Sequence, residues 1–253
     1  MNILIVVLIL ILVIRYTTKE KFTQSPNIHL ITYENTNHPH LQNLLKTAKF
    51  YGWPKVTVLG EGGKWGGFGT KALTYTDHLK TLPPDDLAVL VDARDVVVNG
   101  TPNEFLSAIP PISDKLLVSA EFGCCAHGSP AITPQIKSWM TAQAKANNIT
   151  GNRFLNAGMV AGRVSTFQRI YPYGIHTDNI DDQNAMVMYW YAHQDDIQLD
   201  YNEQVFSNAT WGPNEDGYDK EDNRWVSKWS RSTPVFIQTP SKNWNCYNKL
   251  LND

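Results

Sequence analysis

The sequence has only three cysteines in 253 residues and almost no excess charge of either sign. So few cysteines exclude a small disulfide-stabilised scaffold. Lys and Arg together number 22 against 24 for Asp and Glu, whereas a nucleic-acid-binding protein would carry a basic excess. We therefore expect no nucleic-acid partner. Hydrophobic residues make up 42% and charged residues 18%, which favours a folded chain over a disordered one.

Several common catalytic and nucleotide-binding motifs are also missing. There is no G-x-S-x-G elbow, and none of the seven histidines forms an H-E-x-x-H pair, so these hydrolase chemistries have no support. The glycine-rich segment 60–69 matches neither a Walker loop nor a G-x-G-x-x-G turn that opens directly into a helix. We also find no internal repeat, low-complexity segment or linker, so residues 22–253 are predicted to form a single domain.

Residues 3–14 form an unbroken apolar run that Arg15 closes. As a helix this run would cover about 18 Å, short of the roughly 30 Å of a bilayer core. Its length predicts a signal peptide or a short signal anchor in residues 1–21, with membrane anchoring through residues 3–14 as one outcome. The alternative is a buried strand, but twelve apolar residues exceed the usual 4–8. Sequons at Asn99, Asn148 and Asn208 agree with the lumen of the secretory pathway, the endoplasmic reticulum or Golgi.

Strand-like and helix-like segments alternate from residue 27 onward. We predict helices over 38–51 and 71–79, a helical stretch over 185–191, and strands over 28–34, 55–59, 87–91, 116–120 and 154–162. The run LAVLV at 87–91 has no polar alternation, as expected where both faces of a sheet are covered. The order predicts an α/β fold, a mostly parallel Rossmann-like sheet flanked by helices.

The first candidate site lies where the strand 87–91 ends. Asp92 and Asp95 follow it, and open α/β sheets bind ligands at the carboxyl ends of their strands. Carboxylates are hard ligands suited to Mg²⁺ or Mn²⁺, and such an ion can bridge a diphosphate. The alternative is a strand-end turn in which either aspartate caps backbone amides.

Two further segments have both a functional and an ordinary interpretation. Glycines in the loop 60–69 would let the backbone approach a ligand closely, although such a loop can equally be a flexible surface segment. Trp65 at its centre favours a ligand. Asp181 and Asp182 precede a helix, where acidic residues are ordinary caps.

Seven segments follow one another in a specific order along the chain. They are LGEGGKWGGFGTK (59–71), VLVDARDVVV (89–98), LVSAEFGCC (117–125), RFLNAGMVAG (153–162), DDQ (181–183), LDYNEQVFSN (199–208) and PVFIQTPSK (234–242). Taken together, they resemble the glycosyltransferase domain of the procollagen lysyl hydroxylases, a GT-A fold. The resemblance covers roughly residues 27–250, and the order of the segments makes it specific.

The resemblance implies a transferase that uses UDP-glucose or UDP-galactose together with Mn²⁺ or Mg²⁺. The implied acceptor is hydroxylysine or galactosyl-hydroxylysine of a collagen-like protein. Asp181 and Asp182 are then the catalytic acidic pair, and Asp92, Asp95 and Gln238 the metal ligands. The implied donor-binding residues are Gly62, Trp65, Lys71, Asp92, Arg94, Glu121 and Asn156.

The sequence departs from the family pattern at three positions. Gln238 stands where the family has a metal-binding histidine, Arg94 where it has an aromatic residue, and Cys125 where it has a tryptophan. A glutamine oxygen binds these metals more weakly than an imidazole nitrogen, so we expect lower metal affinity. A guanidinium can stack on a base, and the smaller cysteine would leave the donor pocket more open. We also hypothesise that Cys124 or Cys125 pairs with Cys246.

The departure at Gln238 keeps two other functions open. One is a catalytically silent relative that binds a UDP-sugar or a collagen partner. The other is a transferase of the same fold with a non-collagen acceptor.

Overall fold

The computed structural model describes residues 26–110, 114–124, 131–171, 173–209, 217–240 and 243–252. The apolar run 3–14 and Cys125 lie outside these residues. The described strands are β1 (Ile28–Tyr33), β2 (Thr57–Leu59), β3 (Leu87–Asp92), β4 (Val96–Val98), β5 (Leu116–Glu121), β6 (Phe154–Arg163), β7 (Ile197–Leu199), β8 (Phe206–Asn208), β9 (Tyr218–Glu221), β10 (Arg224–Ser227) and β11 (Phe236–Gln238). The described helices are α1 (Pro39–Phe50), α2 (Phe68–Leu79), α3 (Pro102–Ala108), α4 (Pro134–Ala146), α5 (Val164–Ile170), α6 (Asp182–Ala192) and α7 (Trp244–Asn252).

A six-stranded sheet forms the centre, in the order β2-β1-β3-β6-β5-β7. β1 is parallel to both β2 and β3, and β5 is parallel to β7. β6 runs antiparallel between β3 and β5. The predicted α/β fold with a mostly parallel sheet is therefore confirmed, and the antiparallel β6 is the part that strand-helix alternation did not predict.

Helices cover both faces of this sheet, which explains the unbroken apolar runs. In β3, Ala88 and Leu90 pack into a core with α2, α5 and α6. Val89 and Val91, on the opposite face, pack with α1 and α3. Successive side chains of a strand point to opposite faces, so a strand buried on both sides needs apolar residues at every position.

A smaller sheet, β4-β11-β8, lies beside the carboxyl ends of the central strands. β11 is antiparallel to β4 and parallel to β8, and its register pairs Gln238 with both Val96 and Asn208. β9 and β10 form a separate hairpin. The sheet thus brings residue 238 next to the turn that follows β3.

The structure limits two predictions made from local sequence. Asn99 and Asn208 are buried, and both amide nitrogens donate to backbone carbonyls, so in the folded chain only the Asn148 sequon is exposed. Cys246 is a buried thiol, so the hypothesised bridge to it is wrong.

Across the described ranges, no helix is long and apolar enough to span a bilayer.

Candidate functional site

The turn between β3 and β4 carries the two predicted metal-binding carboxylates. Gln238 Nε2 lies 3.1 Å from Asp92 Oδ2 and 3.4 Å from each carboxylate oxygen of Asp95. The Thr239 amide donates to the Asp95 carbonyl at 2.8 Å and fixes the turn to β11. A Cβ at position 158 would lie within 2.4 Å of the Gln238 amide. Gly158 of β6 is therefore required so that Gln238 can reach both aspartates.

The electrostatics of this turn suit a divalent cation. Asp95 is half-buried, and burial followed by the charge of Asp92 raises its pKa to about 7. Gln238 Oε1 is buried and has no hydrogen-bond partner among the described residues. Rotation of the amide would exchange Nε2 and Oε1 and direct this oxygen to the same point as the carboxylates. Three hard oxygen donors fit Mg²⁺ or Mn²⁺, although the described residues hold no cluster of three His, Cys, Asp or Glu ligands.

Lys71 joins this turn to the predicted catalytic acids. It projects from the first turn of α2, and its Nζ lies 2.8 Å from Asp92 Oδ1 and 3.0 Å from Asp182 Oδ2. Lys71 and Asp182 are both buried. Burial favours the neutral amine, but the two carboxylates outweigh it and raise the Lys71 pKa well above its usual value. A fixed positive charge therefore lies between Asp92 and Asp182.

The two neighbouring aspartates have different surroundings. Asp181 is the N-cap of α6, and its Oδ1 accepts a hydrogen bond from the backbone N–H of Asn184 at 2.9 Å. Asp182 is the first residue of the helix and forms the ion pair with Lys71. The capping interpretation is therefore correct for Asp181, whereas Asp182 belongs to the charged network.

Glu121 and Asn156 form a polar network beside Asp182. Asn156 Nδ2 and Gln183 Nε2 each donate to one Glu121 oxygen at 3.0 Å. Gln183 also accepts from the Ala157 amide, which ties α6 to β6. Burial raises the Glu121 pKa to about 7 despite these two hydrogen bonds. Sequence reasoning missed Gln183 as a member of this network, although it follows the acidic pair directly.

The raised pKa of Glu121 predicts a pH-dependent stability. The folded chain binds this proton more tightly than the unfolded chain, so the free energy of unfolding falls as pH rises from about 4.5 to about 7. The expected contribution is on the order of 3 kcal/mol. Urea unfolding at several pH values in chelator should show a smaller fall for Glu121→Gln than for the wild type. The exposed Glu61→Gln variant is the control, and an equal slope in all three proteins would contradict the prediction.

The glycine-rich loop packs against the segment that precedes Asp181. The Gly69 amide donates to the Asp178 carbonyl at 3.1 Å. A Cβ at Gly69 would come within 2.0 Å of the backbone carbonyl oxygen of Thr177. Trp65 is 43% exposed and packs against Tyr33 and Phe68. The loop is therefore docked at its α2 end and presents an aromatic ring. Gly62 lies on its exposed part, with positive φ and open space for 4 Å around the position that a Cβ would take.

A cleft of about 760 Å³ opens between this loop and the β3–β4 turn. Its lining includes five predicted site residues, Trp65, Lys71, Asp92, Arg94 and Asp95. It also includes side chains that sequence reasoning missed: Tyr33, Glu34, His38, His40 and Trp244. The strand-end argument applied to Asp92 would have found Glu34, because Tyr33 of β1 pairs with Asp92 of the parallel β3.

A solved structure shares the fold described above. The structure is similar to that of a glycosyltransferase involved in the glycosylation of the major capsid of PBCV-1, with a TM-score of 0.52 and 10% identity. The similarity covers 89% of this chain and 98% of the other. At such low identity it concerns the fold alone, which is the GT-A glycosyltransferase fold.

The family follows from the sequence. Residues 24–252 match the PLOD GT domain, and the chain belongs to this family of glycosyltransferase domains. It is 28% identical over 182 residues to the human multifunctional procollagen lysine hydroxylase and glycosyltransferase LH3, and 25% identical over 196 residues to the rat protein. These alignments cover 65% and 71% of this chain but only 22% and 24% of the relatives. The family predicted from the seven segments is confirmed.

Proposed function

We propose that this chain is a metal-dependent transferase that moves a hexose from UDP-glucose or UDP-galactose to a collagen-like protein. The acceptor group is hydroxylysine or galactosyl-hydroxylysine. The observation that carries the proposal is the Lys71 ammonium held between Asp92 and Asp182. It links the carboxylates suited to a diphosphate-bound metal with an acidic residue suited to the transferred sugar.

Asp92, Asp95 and the Gln238 oxygen are the residues that would hold Mn²⁺ or Mg²⁺. When bound, such an ion supplies positive charge that offsets the developing charge on the departing diphosphate. Lys71 adds a second, permanent positive charge at the floor of the cleft, because its two carboxylate partners keep it protonated. Charge that is already in place costs no reorganisation when the leaving group departs.

The acidic pair is assigned to the sugar side of the reaction. Asp182, or Asp181 beside it, would orient the acceptor hydroxyl or stabilise positive charge on the sugar ring. Trp65 and Arg94 line the cleft and are assigned to the donor. Glu121 and Asn156 hold Gln183, and through it the start of α6, in place.

The proposal places the reaction in the lumen of the secretory pathway, with residues 1–21 as a signal peptide or a short signal anchor. The names of the LH3 relatives support a procollagen acceptor. About a quarter of the length of these relatives is matched, so their hydroxylase activity is not part of the proposal.

The test measures UDP release by the full chain. UDP-glucose and UDP-galactose are supplied in parallel, with Mn²⁺ or with chelator, and with or without a hydroxylysine-containing collagen peptide. We expect metal-dependent release and a peptide mass gain of one hexose. Release that persists in chelator would contradict the metal role. Release without any gain on the peptide would favour a non-collagen acceptor.

One observation favours the catalytically silent alternative. Gln238 presents Nε2, a donor, to both aspartates, and this hydrogen bonding competes with a metal for the same oxygens. A silent protein would bind UDP in calorimetry but release none from any UDP-sugar.

Gln238→His is expected to tighten Mn²⁺ binding by about tenfold or more, because an imidazole nitrogen is a better ligand than an amide oxygen. Calorimetric titration with Mn²⁺ alone measures this without relying on activity. Gln238→Leu, which keeps a side chain of similar size without a donor atom, should weaken binding. If neither variant changes the affinity, residue 238 is not a ligand.

A further inference from the structure

Glu34 is a buried carboxylate in the lining of the cleft between the glycine-rich loop and the β3–β4 turn. It follows β1 directly, and its backbone amide continues the sheet by donating to the Leu59 carbonyl. Only 3% of the residue is exposed. Its Oε2 accepts from Arg94 Nε at 2.6 Å, and its Oε1 accepts from Arg94 Nη2 at 2.8 Å. The Thr36 amide and hydroxyl also donate to Oε1.

This pair fixes the orientation of Arg94. Burial disfavours the Glu34 carboxylate, but hydrogen bonds from Arg94 and Thr36 lower its pKa to about 2. The carboxylate is therefore charged at neutral pH, as a guanidinium always is in proteins. The two parallel hydrogen bonds hold one edge of the planar guanidinium. Half of the Arg94 side chain nevertheless remains exposed, in the lining of the cleft.

The pairing also limits how Arg94 can bind a nucleotide. Glu34 takes two of the five guanidinium N–H groups, on the Nε–Nη2 edge, so a phosphate could be bound only through the Nη1–Nη2 edge that remains. The faces of the guanidinium are not used by these hydrogen bonds, and guanidinium faces stack on bases. Arg94 lies between Asp92 and Asp95, so one turn carries both this face and the candidate metal ligands.

We infer that Glu34 is a positioning residue that holds Arg94 as a stacking platform for the nucleobase of the nucleoside diphosphate donor. The inference rests on the proposed function and adds to it the residue that orients the base.

The experiment is a double-mutant cycle read by calorimetry, with UDP and with inorganic pyrophosphate, both in the presence of Mn²⁺. Arg94→Ala should weaken UDP binding by about 5-fold to 100-fold, the range for loss of one stacked base. Pyrophosphate lacks a base, so its affinity should stay within about twofold. Arg94→Tyr should bind UDP nearly as well as the wild type.

Glu34→Gln should weaken UDP binding in the wild-type background and have no effect in the Arg94→Tyr background. A purely structural role for Glu34 would instead give the same loss in both backgrounds, which would overturn the inference. Thr36→Val, which removes one hydrogen bond to Glu34 but leaves Arg94 paired, is the matched control and should bind UDP normally. Thermal melting of every variant checks that it folds. If Glu34→Gln does not fold, the comparison of UDP with pyrophosphate in Arg94→Ala and Arg94→Tyr still tests base stacking, because Arg94 is half-exposed.

Two further outcomes separate this inference from the proposed function. Equal loss of UDP and pyrophosphate binding in Arg94→Ala would assign Arg94 to the phosphates and overturn the platform alone. A wild-type chain that binds neither ligand would contradict the nucleotide donor itself, and the platform with it.

Discussion

Asp95→Ala is expected to reduce metal-dependent UDP release at least a thousandfold, equivalent to about 4 kcal/mol of transition-state stabilisation. Asp95 shares Gln238 with Asp92, so its loss leaves one carboxylate and one amide at the candidate metal site. UDP release with Mn²⁺ in the full chain is the measurement. Activity within tenfold of the wild type would contradict a metal at this turn.

The same variant should not lose stability. Burial and the neighbouring Asp92 raise the Asp95 pKa to about 7, so in chelator the ionised side chain opposes folding as pH rises from about 4 to about 7. Asp95→Ala removes this destabilising carboxylate, so the melting temperature of the variant at pH 7.5 should equal or exceed that of the wild type.

Asp86→Asn is the matched control, because Asp86 lies just before the other end of β3. Its pKa is lowered: burial opposes the shift, but hydrogen bonds from His29 and Asn27 outweigh it. Asp86→Asn should therefore lose stability and keep activity, the reverse of Asp95→Ala. A loss of both properties in both variants would indicate damage to the sheet rather than to a metal site.

Strands and helices whose apolar residues follow a regular local pattern were predictable from the sequence. The pairing of strands that are distant in the chain was not. The unbroken run 87–91 predicted a strand covered on both faces, and β3 packs into two separate cores. Nothing local in the sequence distinguishes an antiparallel β6 from a parallel strand. Its direction follows from its pairing with both β3 and β5.

The candidate site shows the same limit. Asp92 and Asp95 could be placed at a strand end, because the end of an apolar run marks the edge of the sheet. Their hydrogen bonds to Gln238 span more than 140 residues, and only the family resemblance pointed to that residue. Glu34 was missed because the predicted strand 28–34 includes it, whereas the observed β1 ends at Tyr33 and Glu34 follows it.

Asp182→Asn is expected to lower turnover by about 10²-fold to 10³-fold, the range for loss of one electrostatic partner in an active site. The substitution keeps the size of the side chain but removes the charge that holds Lys71 Nζ at 3.0 Å. Lys71 keeps its contact with Asp92, so the fold and the metal carboxylates should remain. We therefore expect UDP affinity within about threefold of the wild type, with the loss confined to turnover.

Asp181→Asn separates the two members of the acidic pair. Asparagine caps a helix about as well as aspartate, so the hydrogen bond from the Asn184 amide should persist. If the charge of Asp182 is the one that acts on the sugar, Asp181→Asn changes turnover by no more than a few fold. Comparable losses in both variants would show that the two charges act together, and a loss in Asp181→Asn alone would transfer the catalytic role to the capping residue. Single-turnover measurements with saturating UDP-sugar distinguish these results from changes in donor binding, because only the chemical step is then observed.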